Sequence, residues 1–316
     1  RLRLNAEGNG STTAAAIDNG SNDACGIASI SLDQTDFDCT DVGPNTVTLT
    51  VTDNNGNEAT ATATVTVEDD GYAVAVAQDL TVQLDAEGNG STTAAAIDNG
   101  SSDACGIAGM SLSQTEFGCN HVGLNTVTLT VTDNNGNESE VTATVTVEDN
   151  VNPIAIAHEE LSFYLDETGY VGVEYAWVDS ASIDACGLAP QDGTPPGLSI
   201  SQEDFDCSDV GPNTVTLTVT DVNGNVATTP TTIYINDTIA PEALVQDLTV
   251  QLASNGTASI LPAQLDNGSN DACGIASMSL DDTDLNCNYV GVNFVTLTVT
   301  DVNGNESEAT AVVTVE

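Results

Sequence analysis

The chain has 316 residues and carries 48 acidic side chains against two basic ones, which gives a formal net charge of −46 at pH 7. This charge excludes nucleic acid as a partner, because binding phosphates takes a basic surface. It also argues against anionic membrane surfaces and favours bound counter-cations. No apolar stretch is long enough to span a bilayer, so we expect no direct membrane insertion by this segment.

One stretch of sequence occurs four times and sets the organisation of the chain. It covers 45–58 and returns at 125–138, 213–225 and 293–306, with a period of about 80 residues. The third copy is longer, and its excess lies around 191–197, which predicts a surface loop. We predict four domains at 1–70, 71–150, 151–238 and 239–316. The first lacks the linker that precedes the others, which indicates a segment of a longer array.

The second repeat shows the predicted elements in order. A strand at 79–84 and a strand at 91–97 precede a polar loop at 98–106; a further strand covers 107–112. Valine or leucine then alternates with threonine from 125 to 133, and an Asn/Gly turn leads into a second alternating run, which predicts a long β-hairpin.

Short strands with frequent turn signals and no helical period predict an all-β sandwich for each repeat. A large apolar residue recurs two positions before the second cysteine of each repeat, and we expect it in the core. The four residues are Phe37, Phe117, Phe205 and Leu285.

The eight cysteines come two per repeat at a regular spacing, and the chain has only two histidines. This pattern predicts one disulfide within each repeat rather than a metal site, and an oxidising compartment outside the cell. The predicted pairs are Cys25–Cys39, Cys105–Cys119, Cys186–Cys207 and Cys273–Cys287.

The repeated sequence motifs also resemble those of a known repeat family. The pattern Asp-Asn-Gly-Ser-x-Asp-Ala-Cys-Gly-Ile, followed by Val-Gly-x-Asn-Thr-Val-Thr-Leu-Thr-Val-Thr-Asp-x-Asn-Gly-Asn, resembles the hyalin (HYR) repeat and related immunoglobulin-like repeats. Such repeats occur in tandem in large secreted surface proteins of Bacteroidetes-type bacteria, including gliding adhesins. The resemblance covers nearly the whole chain. It implies an immunoglobulin-like sandwich, secretion or display on a bacterial cell surface, and a role in adhesion or surface filaments.

In an immunoglobulin-like sandwich, the loop after the second strand and the turn of the last hairpin lie at the end where the linker enters. All three elements are rich in Asp and Asn, and crowded carboxylates without a cation repel one another. Because Ca²⁺ takes six to eight oxygen ligands, we predict a calcium site at each junction between repeats. The alternative is that these residues only form turns.

The predicted calcium ligands fall into four groups, one per repeat. They are Asp18, Asp23, Asp53, Asn55 and Asn57 in the first; Glu68, Asp69, Asp98, Asp103, Asp133, Asn135 and Asn137 in the second; Glu148, Asp149, Asp179, Asp184, Asp221, Asn223 and Asn225 in the third; and Asn236, Asp237, Asp266, Asp271, Asp301, Asn303 and Asn305 in the fourth.

No histidine recurs and no serine nucleophile motif is present, so we predict that the chain is not an enzyme. The predicted function is a stalk or filament segment of an extracellular bacterial adhesin, stiffened by calcium and by one disulfide per repeat. Its partners would be neighbouring repeats and other copies in a filament.

Two rival functions remain open. One is an array of carbohydrate-binding modules that take surface glycans. That function needs a recurring exposed aromatic residue, and only the third repeat, with Trp177, supplies candidates. The other is an appendage of a secreted hydrolase, which requires a catalytic domain outside this segment.

Overall fold

A computed structural model describes residues 1–193 and 197–316. The chain forms two compact units, Arg1–Val151 and Asn152–Glu316. Each unit contains two copies of the same all-β module, and each of the four predicted repeats holds one complete set of sheets. The bounds of the four repeats themselves stay a prediction.

Strand bounds recur closely from repeat to repeat. Those of the first unit are β1 Leu2–Arg3, β2 Asn9–Ser11, β3 Ile27–Leu32, β4 Asp36–Asp38, β5 Gly43–Asp53, β6 Glu58–Glu68, β7 Leu80–Gln83, β8 Asn89–Ser91, β9 Ile107–Leu112, β10 Glu116–Gly118, β11 Gly123–Asp133 and β12 Glu138–Glu148. Those of the second unit are β13 Glu160–Tyr164, β14 Tyr170–Gly172, β15 Leu198–Ile200, β16 Asp204–Asp206, β17 Gly211–Thr220, β18 Val226–Asn236, β19 Leu248–Val250, β20 Thr257–Ser259, β21 Ile275–Leu280, β22 Asp284–Asn286, β23 Gly291–Asp301 and β24 Glu306–Val315.

Every repeat is a small sandwich-like unit of two sheets. In the second repeat the larger sheet has the order β7-β12-β11-β9, and the smaller pairs β8 with β10. The first strand runs parallel to the last, and the other pairs are antiparallel. This arrangement confirms the predicted all-β fold.

The long hairpin is the backbone of each repeat, as the alternation predicted. In β11 the side chains of Val127, Leu129 and Val131 are fully buried, whereas the threonines between them face outward. The large residue two positions before the second cysteine lies in the core of all four repeats, which confirms that prediction.

One predicted strand is wrong in part. The predicted strand at 91–97 overlaps the observed strand β8, Asn89–Ser91, only at Ser91. A one-turn helix at Ala94–Ile97 takes the place of the rest. Thr93 caps this helix, because its hydroxyl accepts a hydrogen bond from the backbone N–H of Ala96 at 3.3 Å. Alanine favours the helix once the cap is in place.

The same turn recurs in every repeat. The four one-turn helices are α1 Ala14–Ile17, α2 Ala94–Ile97, α3 Tyr175–Val178 and α4 Pro262–Leu265, and short 3₁₀ turns cover Cys39–Asp41, Cys119–His121, Cys207–Asp209 and Cys287–Tyr289. Throughout the described ranges, no helix has the length and apolar character that a membrane crossing takes. Most of the predicted insertion is described, but 194–196 lie outside the described residues.

Replacing Val131 with Asp should unfold the second repeat, because it buries an unpaired charge, and we expect a loss of about 4 kcal/mol or more. The matched control is Thr128→Asp on the outward face of the same strand, opposite Thr142. Urea unfolding checks both variants. Equal damage from the two would contradict the observed strand register.

Candidate functional site at the repeat junctions

Three elements meet at the end of the second repeat where the chain enters it. The hairpin turn binds the cysteine loop, because the Asn134 side chain donates to the carbonyl oxygen of Cys105 at 2.7 Å. The same turn binds the linker, because the Asn137 side chain donates to the carbonyl oxygen of Gly71 at 2.9 Å. We call this the entry end, and the prediction that loop, hairpin and linker meet there is confirmed.

The second cysteine of each repeat lies at the opposite end, which we call the exit end. Cys119 comes four residues before β11 begins, and Cys105 lies beside the turn where β11 ends. An 11-residue strand separates the two ends. At about 3.3 Å per residue this is roughly 35 Å, whereas a disulfide needs Cα atoms within about 7 Å.

The disulfides therefore join neighbouring repeats. Cys39 of the first repeat bonds Cys105 of the second, and Cys207 of the third bonds Cys273 of the fourth, with Cα atoms 5.1 Å apart in both. All four predicted pairs are wrong: Cys25–Cys39, Cys105–Cys119, Cys186–Cys207 and Cys273–Cys287. Cys119 and Cys186 also take part in disulfides, and the free thiols are Cys25 and Cys287, both exposed.

A glycine lies against one sulfur of each of these two disulfides, and we call this glycine the seat of the disulfide. The carbonyl oxygen of Gly8, in the turn between β1 and β2, lies 3.7 Å from Cys39 Sγ. Gly8 has a φ of +75°, and a side chain there would place Cβ 2.6 Å from that sulfur and 3.3 Å from Cβ of Ala104. Gly169 meets Cys207 in the same way. Sequence reasoning missed this seat, although a glycine recurs at that position in all four repeats.

Carboxylates gather beside each of these disulfides. Asp69 from the linker and Asp103 from the cysteine loop have oxygens within 4.8 Å of each other. Asp133 of the hairpin turn is almost fully buried behind them. One oxygen of Asp69 is buried and has no hydrogen-bond partner. The sulfur of Cys105 lies equally near, but its disulfide removes it as a thiolate ligand.

The junction between the third and fourth repeats repeats this arrangement. Asp237 and Asp271 form the close pair, and Asp301 is the buried carboxylate behind it. Again one oxygen of the linker aspartate, Asp237, is buried without a partner. The Asn305 side chain donates to the backbone carbonyl of Asp237 at 3.2 Å and so ties linker to hairpin.

The linker aspartates Asp69 and Asp237 lie in surroundings that disfavour their charged form. Burial raises the pKa of Asp69, and the carboxylates of Asp103 and Asp133 raise it further. Asp237 has a raised pKa for the same reasons. For Asp133, burial would raise the pKa, but hydrogen bonds from Asn137 and its neighbours outweigh burial and lower it.

No basic side chain relieves this repulsion. Across the described ranges, the two ion pairs are Arg1 with Glu68 at 2.9 Å and Arg3 with Asp70 at 2.6 Å. Asp69 and Asp103 take part in neither pair. The oxygen-rich cluster therefore has the charge and the donor type that suit a hard divalent cation.

Several predicted ligands make local hydrogen bonds, and their part in a calcium site stays a prediction. Asp98 accepts a hydrogen bond from the backbone N–H of Ser101 at 3.0 Å, and this turn recurs at Asp18, Asp179 and Asp266. Glu148 accepts a hydrogen bond from Gln83 at 2.7 Å within its own repeat. The backbone N–H groups of Asn135 and Asn303 donate to Asp133 and Asp301. Asn236 donates to Phe163, also within its own repeat.

The remaining predicted ligands belong to the groups of the first and third repeats. Asp23, Asp53, Asn55 and Asn57 form the same local loop and turn bonds in the first repeat, with Asp23 exposed. In the third repeat, Asp221 accepts hydrogen bonds from Asn223 and Asn225, and Asp184 caps Cys186. The predicted grouping of Asp149 with these residues stays a prediction.

Comparison with known proteins gives a likeness of fold alone. No family model and no curated protein matches the chain. Cadherin domains 1–4 of protocadherin gamma B7 match at 12% identity, covering 99% of both chains, with a TM-score of 0.32. The protocadherin gammaB4 extracellular domain matches at 14% over 86% of this chain, which spans 53% of that one, with a TM-score of 0.33. Immunoglobulin domains 1–5 of Sidekick-1 match at 12% over 88% of this chain and 67% of that one, with a TM-score of 0.31.

Replacing Asp69 with Asn should stabilise the first unit in the presence of chelator. A raised pKa means that the folded chain holds a proton which the unfolded chain has lost, so wild-type stability falls as the pH rises above the ordinary value of 3.8. The advantage of the variant should therefore be present at pH 7 and vanish near pH 3.5 in thermal unfolding.

Asp98→Asn is the control of opposite sign. Hydrogen bonds from Ser101 lower the pKa of Asp98, so this carboxylate stabilises the fold above its unfolded pKa. The variant should be less stable than wild type at pH 7, and the difference should vanish on acidification. The same sign for both variants would contradict the junction electrostatics.

Proposed function

We propose that the chain is a non-enzymatic segment of an extracellular stalk or filament, of the kind found in the bacterial surface adhesins whose repeats it resembles. The observation that carries the proposal is the disulfide between consecutive repeats. A bond between the exit end of one repeat and the entry end of the next serves tension along the chain, whereas a bond within a repeat serves only that repeat.

The bond gives tension a covalent path around the fold. A pull on the first unit passes from Cys39 directly to Cys105 and bypasses the 66-residue separation between them. The bypassed segment contains the whole long hairpin of the first repeat, the linker and the first strands of the second. Those elements can then unfold without lengthening the shaft.

Calcium is the proposed cofactor of the junction. Asp69 and Asp103 would hold the ion at the first junction, and Asp237 and Asp271 at the last, while Asp133 and Asp301 add negative charge behind it. The fit rests on the buried, unpartnered oxygens of Asp69 and Asp237. A bound Ca²⁺ would neutralise the crowded carboxylates and fix the angle at which the linker enters.

Binding of surface glycans is the second candidate function, and one observation favours it. Trp177 is about half exposed and its ring stacks on Phe163 with centroids 5.7 Å apart. The equivalent positions in the other repeats hold Ala16, Ala96 and Gln264. An aromatic platform confined to one repeat suits a single local site, and it does not make the array a set of binding modules.

Single-molecule stretching tests the covalent path. With Cys25→Ser and Cys287→Ser as background, each inter-repeat disulfide should hide about 220–240 Å of contour length, because it spans a separation of 66 residues. Reductant should release that length. The variant that adds Cys39→Ser and Cys105→Ser is the matched control and should release one such increment without reductant. Increments of about 50 Å, as expected for pairs 14 residues apart, would overturn the proposal.

Calcium titration tests the junction. If the affinity lies in the 10⁻⁴–10⁻³ M range of extracellular modules, 10 mM Ca²⁺ should add about 1.4–2.7 kcal/mol per site. Asp103→Ala should remove one site from the stoichiometry measured by calorimetry.

The control for the calcium test is Asp23→Ala. Asp23 and Asp103 cap their cysteine loops alike, with bonds of 2.7 and 2.8 Å to the cysteine N–H, but only Asp103 lies beside a linker aspartate. The Asp23 variant should keep the wild-type stoichiometry. Equal losses from both variants, or no calcium response in wild type, would contradict the junction site.

A further inference from the structure

We propose that the junction between the first and second repeats, and the one between the third and fourth, each become a zinc site when the junction disulfide is reduced. Two cysteine thiolates and two aspartates would hold the ion in each. The purpose of these sites rests on the proposed shaft function. The ligands are Cys39, Asp69, Asp103 and Cys105 at the first of these junctions, and Cys207, Asp237, Asp271 and Cys273 at the second.

The four donors of each site already lie together. Carboxylate oxygens of Asp237 and Asp271 and the sulfur of Cys273 are all within 4.8 Å of one another. The fourth donor, Cys207 Sγ, is bonded to Cys273 Sγ and so is next to them. The first junction repeats this arrangement with its own two aspartates and two cysteines. The convergence is therefore a property of the junction and not of one repeat.

A buried carboxylate oxygen at each junction points to a cation. Asp237 is 9% exposed, and one of its oxygens accepts a hydrogen bond from the backbone N–H of Ile239 at 3.0 Å. Its other oxygen is buried and has no partner. Asp69 is arranged alike, with the backbone N–H of Gly71 donating to one oxygen at 3.1 Å and the other left buried and unpartnered. Such an oxygen is costly unless a positive group faces it.

The cysteine loop fixes the second carboxylate beside the sulfur. Asp103 accepts a hydrogen bond from the backbone N–H of Cys105 at 2.8 Å, and Asp271 accepts one from Cys273 at the same distance. The carboxylate and the sulfur of each loop are thus held as one pair of ligands. This pair needs no rearrangement of the loop to meet the linker aspartate.

The number and type of donors select zinc over calcium in the reduced state. Asp301 lies behind the second site, but both of its oxygens already accept hydrogen bonds from the hairpin turn, each at 2.8 Å. The described residues therefore offer two sulfurs and two carboxylates. Four ligands that include thiolates are the usual set for structural Zn²⁺, whereas Ca²⁺ takes six to eight oxygens.

Reduction needs an electron donor, and a small dithiol is the class that fits. One of its thiolates attacks a sulfur of the Cys207–Cys273 bond and releases the other sulfur. Its second thiolate then closes a cyclic disulfide and releases the first. One S–S bond breaks and one forms, and the two protons of the dithiol end on the two cysteines. Zinc binding then releases both protons to water. Both cysteines are partly exposed, which leaves the bond accessible.

A zinc ion in this place would replace the tether that reduction removes. Cys207 belongs to the exit end of the third repeat, Asp237 to the linker, and Cys273 to the entry end of the fourth. Metal bonds to all three would hold the two repeats together while the disulfide is open. The shaft would then keep its continuity in both redox states.

Zinc titration of a reduced chain tests the proposal. The full chain is made with serine at every cysteine outside the two sites, and is reduced with a water-soluble phosphine. Competition with a chromogenic chelator should count two zinc ions per reduced chain, bound at least on the order of a thousandfold more tightly than by the oxidised chain. Equal binding by the two forms, or another count, would overturn the proposal. The replaced residues are Cys25, Cys119, Cys186 and Cys287.

Two variants test whether the aspartates are ligands. Asp237→Asn should weaken one of the two zinc sites by at least about tenfold. Asp266→Asn is the control, since its carboxylate belongs to the same repeat but accepts a hydrogen bond from the Ser269 N–H instead of facing the sulfurs. It should leave both sites intact. Equal affinities for the two variants would mean that the thiolates bind zinc alone, which contradicts the four-ligand site.

Thermal unfolding separates a folded site from zinc capture by unfolded thiols. Zinc should raise the melting temperature of the reduced chain, because it binds the folded form. An unchanged or lowered melting temperature would overturn the proposal. The calcium titration and the stretching experiment start from the oxidised chain, so a failure there would leave the zinc result standing, and a failure here would leave theirs.

Discussion

The length of the last hairpin is the constraint on which the rest of the molecule depends. Its strands run for 10 or 11 residues, from the exit end of a repeat to its entry end. The cysteine loop is bound to one end by Asn134, and the second cysteine is fixed near the other. Two cysteines held about 35 Å apart by a rigid strand cannot meet, so Cys39 and Cys207 instead bond a cysteine of the following repeat, Cys105 and Cys273.

A three-residue loop then couples covalent and electrostatic contacts at one place. Asp103 faces the linker carboxylate, and Cys105, two residues later, bonds the preceding repeat. Linker and disulfide are two tethers between the same pair of repeats, so loss of a cation would not let the repeats swing freely. Rotation about the line through the two tethers is the motion left, and the proposed cation, bound between Asp69 and Asp103, would restrain it.

Much of this could be predicted from the sequence, and the failures have physical causes. Alternating valine and threonine predicted the hairpins, and the expected meeting of linker, loop and hairpin turn predicted that Asp69, Asp103 and Asp133 lie close together. Asp98 accepts a hydrogen bond from the backbone N–H of Ser101, three residues later, and its part in a calcium site stays a prediction. The four predicted disulfide pairs were wrong because the short spacing of the cysteines along the chain suggested a local bond. The eleven-residue alternating run that follows Cys119 already held the information that the ends lie far apart.

The net charge explains why such bonds are needed. With 48 carboxylates and two basic groups, neighbouring repeats repel one another, and the apolar contact at a junction is small, since Val42 and Val210 stay about a third exposed. A weak, repulsive contact would hold no fixed geometry in solution. Once the linker keeps two repeats together, however, their cysteines meet at a high effective concentration, and the disulfide forms as an intramolecular bond. Repulsion keeps separate chains soluble, and the covalent bond supplies the continuity that the surface cannot.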